Sequence, residues 1–123
     1  MARILVVDDD EHVRALVTRL LQLHGHEVET AVDGAEAIDL IREKRYDLMI
    51  IDRLMPNMNG IDTVTMIRSN PEFNYLKILM FTQTSLTKNV DEAFEAGVDG
   101  YILKPIDMDR LIGKIASTLE NAT

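Results

Sequence analysis

ILVVDDD, residues 4–10, is the stretch of sequence that decides the fold: four branched apolar residues in a row end abruptly in three aspartates. A continuous apolar run of this length is typical of a β-strand that is buried on both faces. Comparable runs lie at residues 48–51, 78–81 and 101–103, and a weaker, alternating run at residues 28–32 suits a strand at a sheet edge. The sequence therefore predicts five strands.

Helical patterns separate the predicted strands, because apolar residues recur there at i, i+3 and i+4 spacing. Asp10 and Asp33 are placed as helix N-caps, and Gly25 and Gly97 lie where a left-handed residue would end a helix. Strands that alternate with helices imply a parallel sheet with helices on both faces. Five such units are too few for an eight-stranded barrel, so we expect an open, doubly wound α/β fold.

The composition is that of one soluble globular domain, residues 1–123, with 46% hydrophobic and 28% charged residues. No apolar stretch approaches the roughly 20 residues that a membrane-spanning helix needs. The chain has no cysteine, which excludes disulfide frameworks and zinc–thiolate sites and mildly favours the cytoplasm. Thirteen Lys and Arg against twenty-one Asp and Glu give a formal charge of −8. This charge disfavours direct binding to nucleic acid or to an anionic membrane.

Charged or hydroxylic side chains follow four of the five predicted strands. The first strand runs into Asp8–Asp10, and the third, fourth and fifth end at Asp52, Thr82 and Lys104. In open α/β sheets, ligands bind outside the carboxyl ends of the strands. We therefore expect these side chains to share one site. Simpler explanations remain for single residues: Asp10 as an N-cap, Thr82 as a β-former that ends its strand, and Lys104 as an exposed loop lysine.

A cluster of carboxylates in this place calls for a cation. Two carboxylates about 4 Å apart repel by about 4 kcal/mol at an effective dielectric constant near 20. Oxygen ligands suit magnesium, which typically binds one or two carboxylates together with substrate phosphate oxygens. This points to phosphoryl chemistry, with Asp52 as the candidate nucleophile that would form an aspartyl phosphate. Lys104 could supply a positive charge, and Thr82 a hydroxyl donor, to the phosphoryl oxygens.

Four segments, taken together and in order, resemble the receiver domains of bacterial two-component response regulators. They are ILVVDDD at residues 4–10, IIDRLMPNMNG at 50–60, MFT at 80–82 and GYILKP at 100–105. The resemblance covers essentially the whole chain. It implies a flavodoxin-like (βα)5 fold whose five-stranded parallel sheet has the strand order 2-1-3-4-5.

The resemblance also implies a cofactor and a phosphoacceptor. Asp52 would accept the phosphoryl group. Mg²⁺ or Mn²⁺ would be held by Asp8, Asp9, Asp52 and the backbone carbonyl of Leu54. Lys104 would pair with the phosphoryl group. The domain would catalyse its own phosphorylation and the slow hydrolysis of its acyl phosphate without being a conventional enzyme.

Partners follow from the same resemblance. A histidine kinase or a phosphotransfer protein would donate the phosphoryl group from a phosphohistidine. Thr82 and Tyr101 would form a switch pair that changes the face made by the fourth helix, the fifth strand and the fifth helix. That face would then bind a downstream protein or a second copy of the chain.

Several positions depart from the commonest pattern of the family. Gln83 stands where a small residue is usual, and its bulk would restrict access to the phosphoryl site. Arg53 stands where an apolar residue is common, and we expect its side chain to point to solvent rather than to a phosphate or a partner. Leu54 and Thr84 occupy places that tune dephosphorylation. The connection at residues 70–76 is interpreted as surface variation.

Two rival functions fit parts of the pattern. A haloacid-dehalogenase-like phosphatase would explain Asp8 and Asp10 as an Asp-x-Asp pair after an apolar strand. Glu11 and His12 follow here, however, where that family usually has a threonine and apolar residues, and 123 residues leave little room for its core and cap. The second rival is a degenerate receiver used only for docking, and the complete set of strand-end residues argues against it.

Overall fold

Strands and α-helices alternate along the described part of the chain, residues 1–83, 87–105 and 107–120 of this computed structural model. The strands are β1 (Arg3–Val7), β2 (Glu27–Ala31), β3 (Leu48–Asp52), β4 (Lys77–Thr82) and β5 (Gly100–Leu103). The α-helices are α1 (Glu11–Leu23), α2 (Gly34–Glu43), α3 (Gly60–Arg68), α4 (Thr87–Ala96) and α5 (Met108–Glu120). Each strand begins and ends within one residue of the apolar run that predicted it. None of the described helices is long and apolar enough to cross a membrane.

The five strands form one parallel sheet in the order β2-β1-β3-β4-β5, which confirms the predicted doubly wound α/β fold. All residues of β3 are buried, whereas β2 is partly exposed, as its alternating sequence predicted for an edge strand. Apolar residues on the two sheet faces form two clusters. One cluster packs against α2, α3 and α4 and the other against α1 and α5. The sheet is thus covered on both faces.

The predicted caps and turns are confirmed by local hydrogen bonds and backbone angles. The Asp10 carboxylate accepts from the backbone amides of His12 and Val13 at 2.8 and 3.3 Å, and so caps α1. Asp33 caps α2 in the same way. Gly25 and Gly97 have φ angles of 86° and 118°, the left-handed region that an L side chain rarely adopts.

The connection at residues 70–76 is not mere surface variation, so that expectation was wrong. It contains a short 3-10 helix, Pro71–Phe73, and Phe73 and Leu76 are buried in the core. Arg68 of α3 donates to the carbonyls of Phe73 and Leu76 at 3.0 and 2.7 Å. Its guanidinium thus ties α3 to two backbone carbonyls of this connection, one of which, that of Phe73, also accepts from the Leu76 amide.

Candidate functional site

The carboxyl ends of β1 and β3 bring three carboxylates together. Val7 pairs with Ile51 in the parallel register, so Asp8 and Asp52 follow side by side. One carboxylate oxygen from each of Asp8, Asp9 and Asp52 lies within 4.8 Å of the others. Asp8 is fully buried and Asp52 is 8% exposed, whereas Asp9 is exposed to solvent. The cluster therefore reaches from the sheet interior to the surface.

Local hydrogen bonds hold the Asp8–Asp10 turn in this arrangement. The Asp8 carboxylate accepts from the backbone amide of Asp10 at 2.9 Å. Arg14 on α1 donates from Nη1 to the backbone carbonyl of Asp8 at 2.6 Å. Arg14 is a site residue that sequence reasoning missed, although its place one turn after the Asp10 cap could have suggested it. The Asp10 side chain itself caps α1, which confirms the simpler of its two explanations.

Lys104 reaches into the carboxylate cluster from the end of β5. Its Nζ lies 3.3 Å from Oδ2 of Asp8 and 3.4 Å from Oδ2 of Asp52, and its side chain is 16% exposed. The Lys104 backbone amide donates to the carbonyl of Thr82 at 2.8 Å, and the bond to Pro105 is cis. The lysine is therefore not an exposed loop residue.

The pKa shifts of Asp52 and Lys104 reflect burial and the charges that lie beside them. Burial, and then the Asp8 carboxylate, raise the pKa of Asp52 above its ordinary value, and Lys104 offsets this only in part. Burial acts to lower the pKa of Lys104, but Asp52 and Asp8 outweigh it and the pKa is raised. A bound divalent cation would supply the missing positive charge. Three carboxylates form the hard, all-oxygen ligand set that Mg²⁺ or Mn²⁺ accepts.

A cleft of about 530 Å³ opens beside the cluster. It is lined by Asp9, Asp10, Asp52, Arg53, Leu54, Thr82, Gln83, Asn89 and Lys104. Thr82 is 6% exposed at the end of β4, and Gln83 is exposed at the rim. The backbone amide of Leu54 makes a long contact of 3.4 Å with Oδ1 of Asp52. The selected strand-end residues other than Asp8 thus line this cleft, while Thr84 lies outside the described residues.

The Arg53 side chain does not point to solvent, so that expectation was wrong. It is 15% exposed, and its Nη2 lies 2.8 Å from Oε2 of Glu92. Its Nη1 donates to the backbone carbonyl of Asn89 at 2.9 Å. Both partners belong to α4, which follows Arg53 by more than thirty residues. Only the packing of α4 beside the end of β3 makes this pairing possible.

Tyr101 lies half-buried on β5, with its ring edge-on to that of Phe94 on α4. The ring centroids are 6.0 Å apart and the planes meet at 82°. Such edge-to-face pairs are a preferred aromatic geometry. Phe94 on α4, Leu103 on β5 and Met108 at the start of α5 are exposed apolar residues. Each of the three elements α4, β5 and α5 thus exposes an apolar side chain.

Comparisons with known proteins agree with this geometry. The family model of the response regulator receiver domain matches residues 4–116. Response regulator MprA of Mycolicibacterium vanbaalenii is 36% identical over 121 residues, which are 98% of this chain and 52% of that protein. The chain thus spans about half the length of the curated relatives it matches.

Solved structures show the same fold. Chemotaxis protein CheY4 of Vibrio cholerae is 34% identical with a TM-score of 0.91, over 96% of this chain and 98% of that one. The receiver domain of Francisella response regulator 1452 is 28% identical with a TM-score of 0.92, and both chains are covered completely. With five parallel strands in the order 2-1-3-4-5 and this family match, the chain belongs to the response regulator receiver domain family of two-component signalling.

Proposed function

We propose that this protein is a phosphorylation-activated signalling switch whose phosphoacceptor is Asp52. A histidine kinase or a phosphotransfer protein would donate the phosphoryl group from a phosphohistidine. The observation that supports this function is the convergence of three carboxylates and the Lys104 ammonium beside a cleft at the carboxyl edge of the sheet. Among the described residues, Asp8 is buried next to Asp52, and the Lys104 ammonium lies within 3.4 Å of a carboxylate oxygen of each.

In the proposed transfer, a carboxylate oxygen of Asp52 attacks the phosphorus atom of the phosphohistidine. The phosphorus–nitrogen bond breaks, its electron pair leaves with the imidazole, and an acyl phosphate forms on Asp52. Lys104 would hold its ammonium against the charge on the phosphoryl oxygens, since it already lies 3.4 Å from Asp52. The Thr82 hydroxyl would donate to a phosphoryl oxygen from the neighbouring strand end.

The metal ligands in this proposal are Asp8, Asp9, Asp52 and the backbone carbonyl of Leu54. When bound, Mg²⁺ or Mn²⁺ neutralises charge on phosphoryl oxygens and orients them. Asp8 is suited to hold such an ion because its burial and its hydrogen bond from the Asp10 amide fix the carboxylate in place. Asp9 would complete the site from the solvent side.

The output in this proposal is a change of the α4–β5–α5 face. Phosphorylation adds charge and acceptor oxygens that would draw in the Thr82 hydroxyl, and Tyr101 would follow by turning further into the protein. Tyr101 starts from a half-buried position against Phe94, so the rotation would reshape an exposed apolar surface. A downstream protein or a second copy of the chain would bind the altered face.

The experiment that tests this function is intact-mass measurement after incubation with acetyl phosphate or with a phosphorylated histidine kinase. We expect a gain of one phosphoryl group with Mg²⁺ and no gain after chelation. Hydrolysis of many equivalents of a small phosphate ester would instead favour the phosphatase function. No gain under any condition would favour a receiver that serves only for docking.

A second prediction concerns the metal and the turn after β1. At about ten times its dissociation constant, Mg²⁺ is expected to stabilise the wild type by about 1.4 kcal/mol. Asp9→Asn should lose most of this stabilisation without unfolding the protein, because Asp9 is exposed. Thermal unfolding with and without Mg²⁺ measures the effect.

The matched control is Asp10→Asn, which also removes one negative charge from the turn. Asparagine caps a helix as well as aspartate does, and the Asp10 carboxylate is engaged in the cap, so this variant should keep the stabilisation by Mg²⁺. Equal losses in both variants would show that only net charge matters and would contradict a ligand role for Asp9.

A further inference from the structure

Arg53 links the phosphoacceptor strand directly to α4. Its backbone is anchored at the end of β3: its amide donates to the carbonyl of Phe81 at 2.9 Å, and its carbonyl accepts from the Gly60 amide at 2.8 Å. Its side chain reaches α4 through the two contacts described above, to the Asn89 carbonyl and to Glu92. We call these two contacts the Arg53 clamp.

The clamp lies on a wall of the cleft that Asp52 lines. Arg53, Asn89 and Asp52 all line that cleft, and the Arg53 side chain is 15% exposed. Glu92, its charged partner, is 43% exposed. The guanidinium is therefore a largely buried cation that is held by a partly solvated carboxylate, and such ion pairs are weak enough to be exchanged.

Phosphorylation would place a stronger competitor in the same cleft. It would replace the single charge of the Asp52 carboxylate with about two charges and three acceptor oxygens. The planar guanidinium of an arginine can donate two parallel hydrogen bonds to two oxygens of one phosphoryl group. In the clamp it instead donates to two separate groups, the Asn89 carbonyl and one carboxylate oxygen of Glu92. The guanidinium would therefore make stronger hydrogen bonds to the phosphoryl group than to Glu92.

We propose that Arg53 is an exchangeable positioning residue: Glu92 and the Asn89 carbonyl hold it on α4 in the unmodified protein, and a phosphoryl group on Asp52 draws it away. The inference rests on the proposed function of Asp52. It adds a path to α4 that does not pass through Thr82 and Tyr101. The coupling between the clamp and the phosphoryl group is reciprocal. If the phosphoryl group draws Arg53 away from Glu92, then Glu92 must weaken binding of the phosphoryl group.

The test uses beryllium fluoride, a phosphoryl mimic, titrated into the full chain with saturating Mg²⁺ and followed by NMR. Glu92→Ala is expected to bind the mimic about two- to fivefold more tightly than the wild type, the range for loss of a partly exposed ion pair. Glu95→Ala is the matched control, since Glu95 is exposed, lies three residues further along α4 and carries the same charge. It should leave the affinity unchanged.

A double-mutant cycle shows whether the gain passes through Arg53. In the background of Arg53→Met, the added Glu92→Ala change should have no effect on affinity. A merely structural role for the ion pair would lower the affinity of Glu92→Ala or leave it unchanged, and either outcome would overturn the inference. The inference would also be overturned if Glu92→Ala still raised the affinity for the mimic in the Arg53→Met background.

Hydrogen exchange gives a second, independent measurement. Beryllium fluoride should speed exchange of the α4 amides in the wild type, whereas Arg53→Met should exchange quickly from the start and respond little. If the variants accept a phosphoryl group but Glu92→Ala and Glu95→Ala bind the mimic equally, the clamp inference fails while the proposed function stands. If the wild type accepts no phosphoryl group, both fail.

Discussion

Asp52→Asn is expected to abolish phosphoryl uptake and, in the metal-free protein, to raise the free energy of unfolding. Uptake is lost because an amide oxygen is a much weaker nucleophile than a carboxylate. Stability rises because burial and the Asp8 carboxylate disfavour the charged form of Asp52, so that its pKa is raised in the folded state. Loss of one contact to Lys104 opposes this gain, and solvent screening reduces it, so we expect a net rise in the free energy of unfolding that is smaller than burial alone would give.

The sign of the pH dependence follows from the same raised pKa. Between the ordinary pKa of 3.8 and the raised value, the folded protein binds more protons at Asp52 than the unfolded chain does. The favourable contribution of protonated Asp52 is therefore complete below the ordinary pKa and is lost as the pH rises through the raised pKa. The stability advantage of Asp52→Asn should grow over that window.

Urea unfolding in chelating buffer, at several pH values, measures this difference, and intact mass measures uptake. Asp33→Asn is the matched control, because it removes one partly exposed carboxylate that caps α2 and asparagine preserves the cap. A variant Asp52→Asn that is less stable than the wild type at neutral pH would contradict the electrostatic account. A mass gain that survives in it would refute Asp52 as the acceptor.

Gly60→Ala is expected to destabilise the fold by about 2–4 kcal/mol and to slow phosphorylation. A Cβ at Gly60 would clash with the backbone carbonyl oxygen of Asp52 and lie 2.9 Å from the Cα of Arg53. Both are backbone atoms at the end of β3, so a side-chain rotation does not relieve the clash. Either α3 or the acceptor residue must move.

Gly113→Ala provides the opposite control. It lies in α5, where a Cβ would meet no other described atom within 4 Å. Alanine in a helix interior is more favourable than glycine, so this variant should be more stable by about 0.5–1 kcal/mol. Urea unfolding of both variants measures the contrast. If Gly60→Ala had the stability and the phosphorylation rate of the wild type, the close approach of α3 to Asp52 would be needed for neither.

Local sequence signals account for much of the fold and for part of the site. The apolar runs located all five strands to within one residue, and Asp10 and Asp33 were predicted as caps from their positions alone. The acids at the ends of β1 and β3 could be selected because parallel strands present their carboxyl ends at one edge. The strand order 2-1-3-4-5 was an implication of the family resemblance and not of any local pattern.

Local sequence signals do not account for the contacts of Arg53, Arg68 and Lys104. The sequence predicted Arg53 in solvent and gave no signal for Arg68, yet both are held by carbonyls and a carboxylate that are distant along the chain or in another element. A long side chain has no periodic signature, because its partner is chosen by whichever acceptor the packed elements bring within reach. Lys104 was expected near the acids because its strand was predicted to end at the same edge of the sheet, and its ammonium group lies there.

The sequence by itself determined the alternation of strands and helices and the presence of acids at strand ends, because these depend on side-chain periods of two and 3.6 residues and on local capping. Only the tertiary structure decided which charges meet. Lys104 contacts an acid 96 residues away and Arg53 one 39 residues away. Such pairs form only when burial of the apolar faces has placed α4 and β5 beside the ends of β1 and β3. Hydrophobic burial is the main force that positions these elements, and their positions determine which charged groups are close enough to interact.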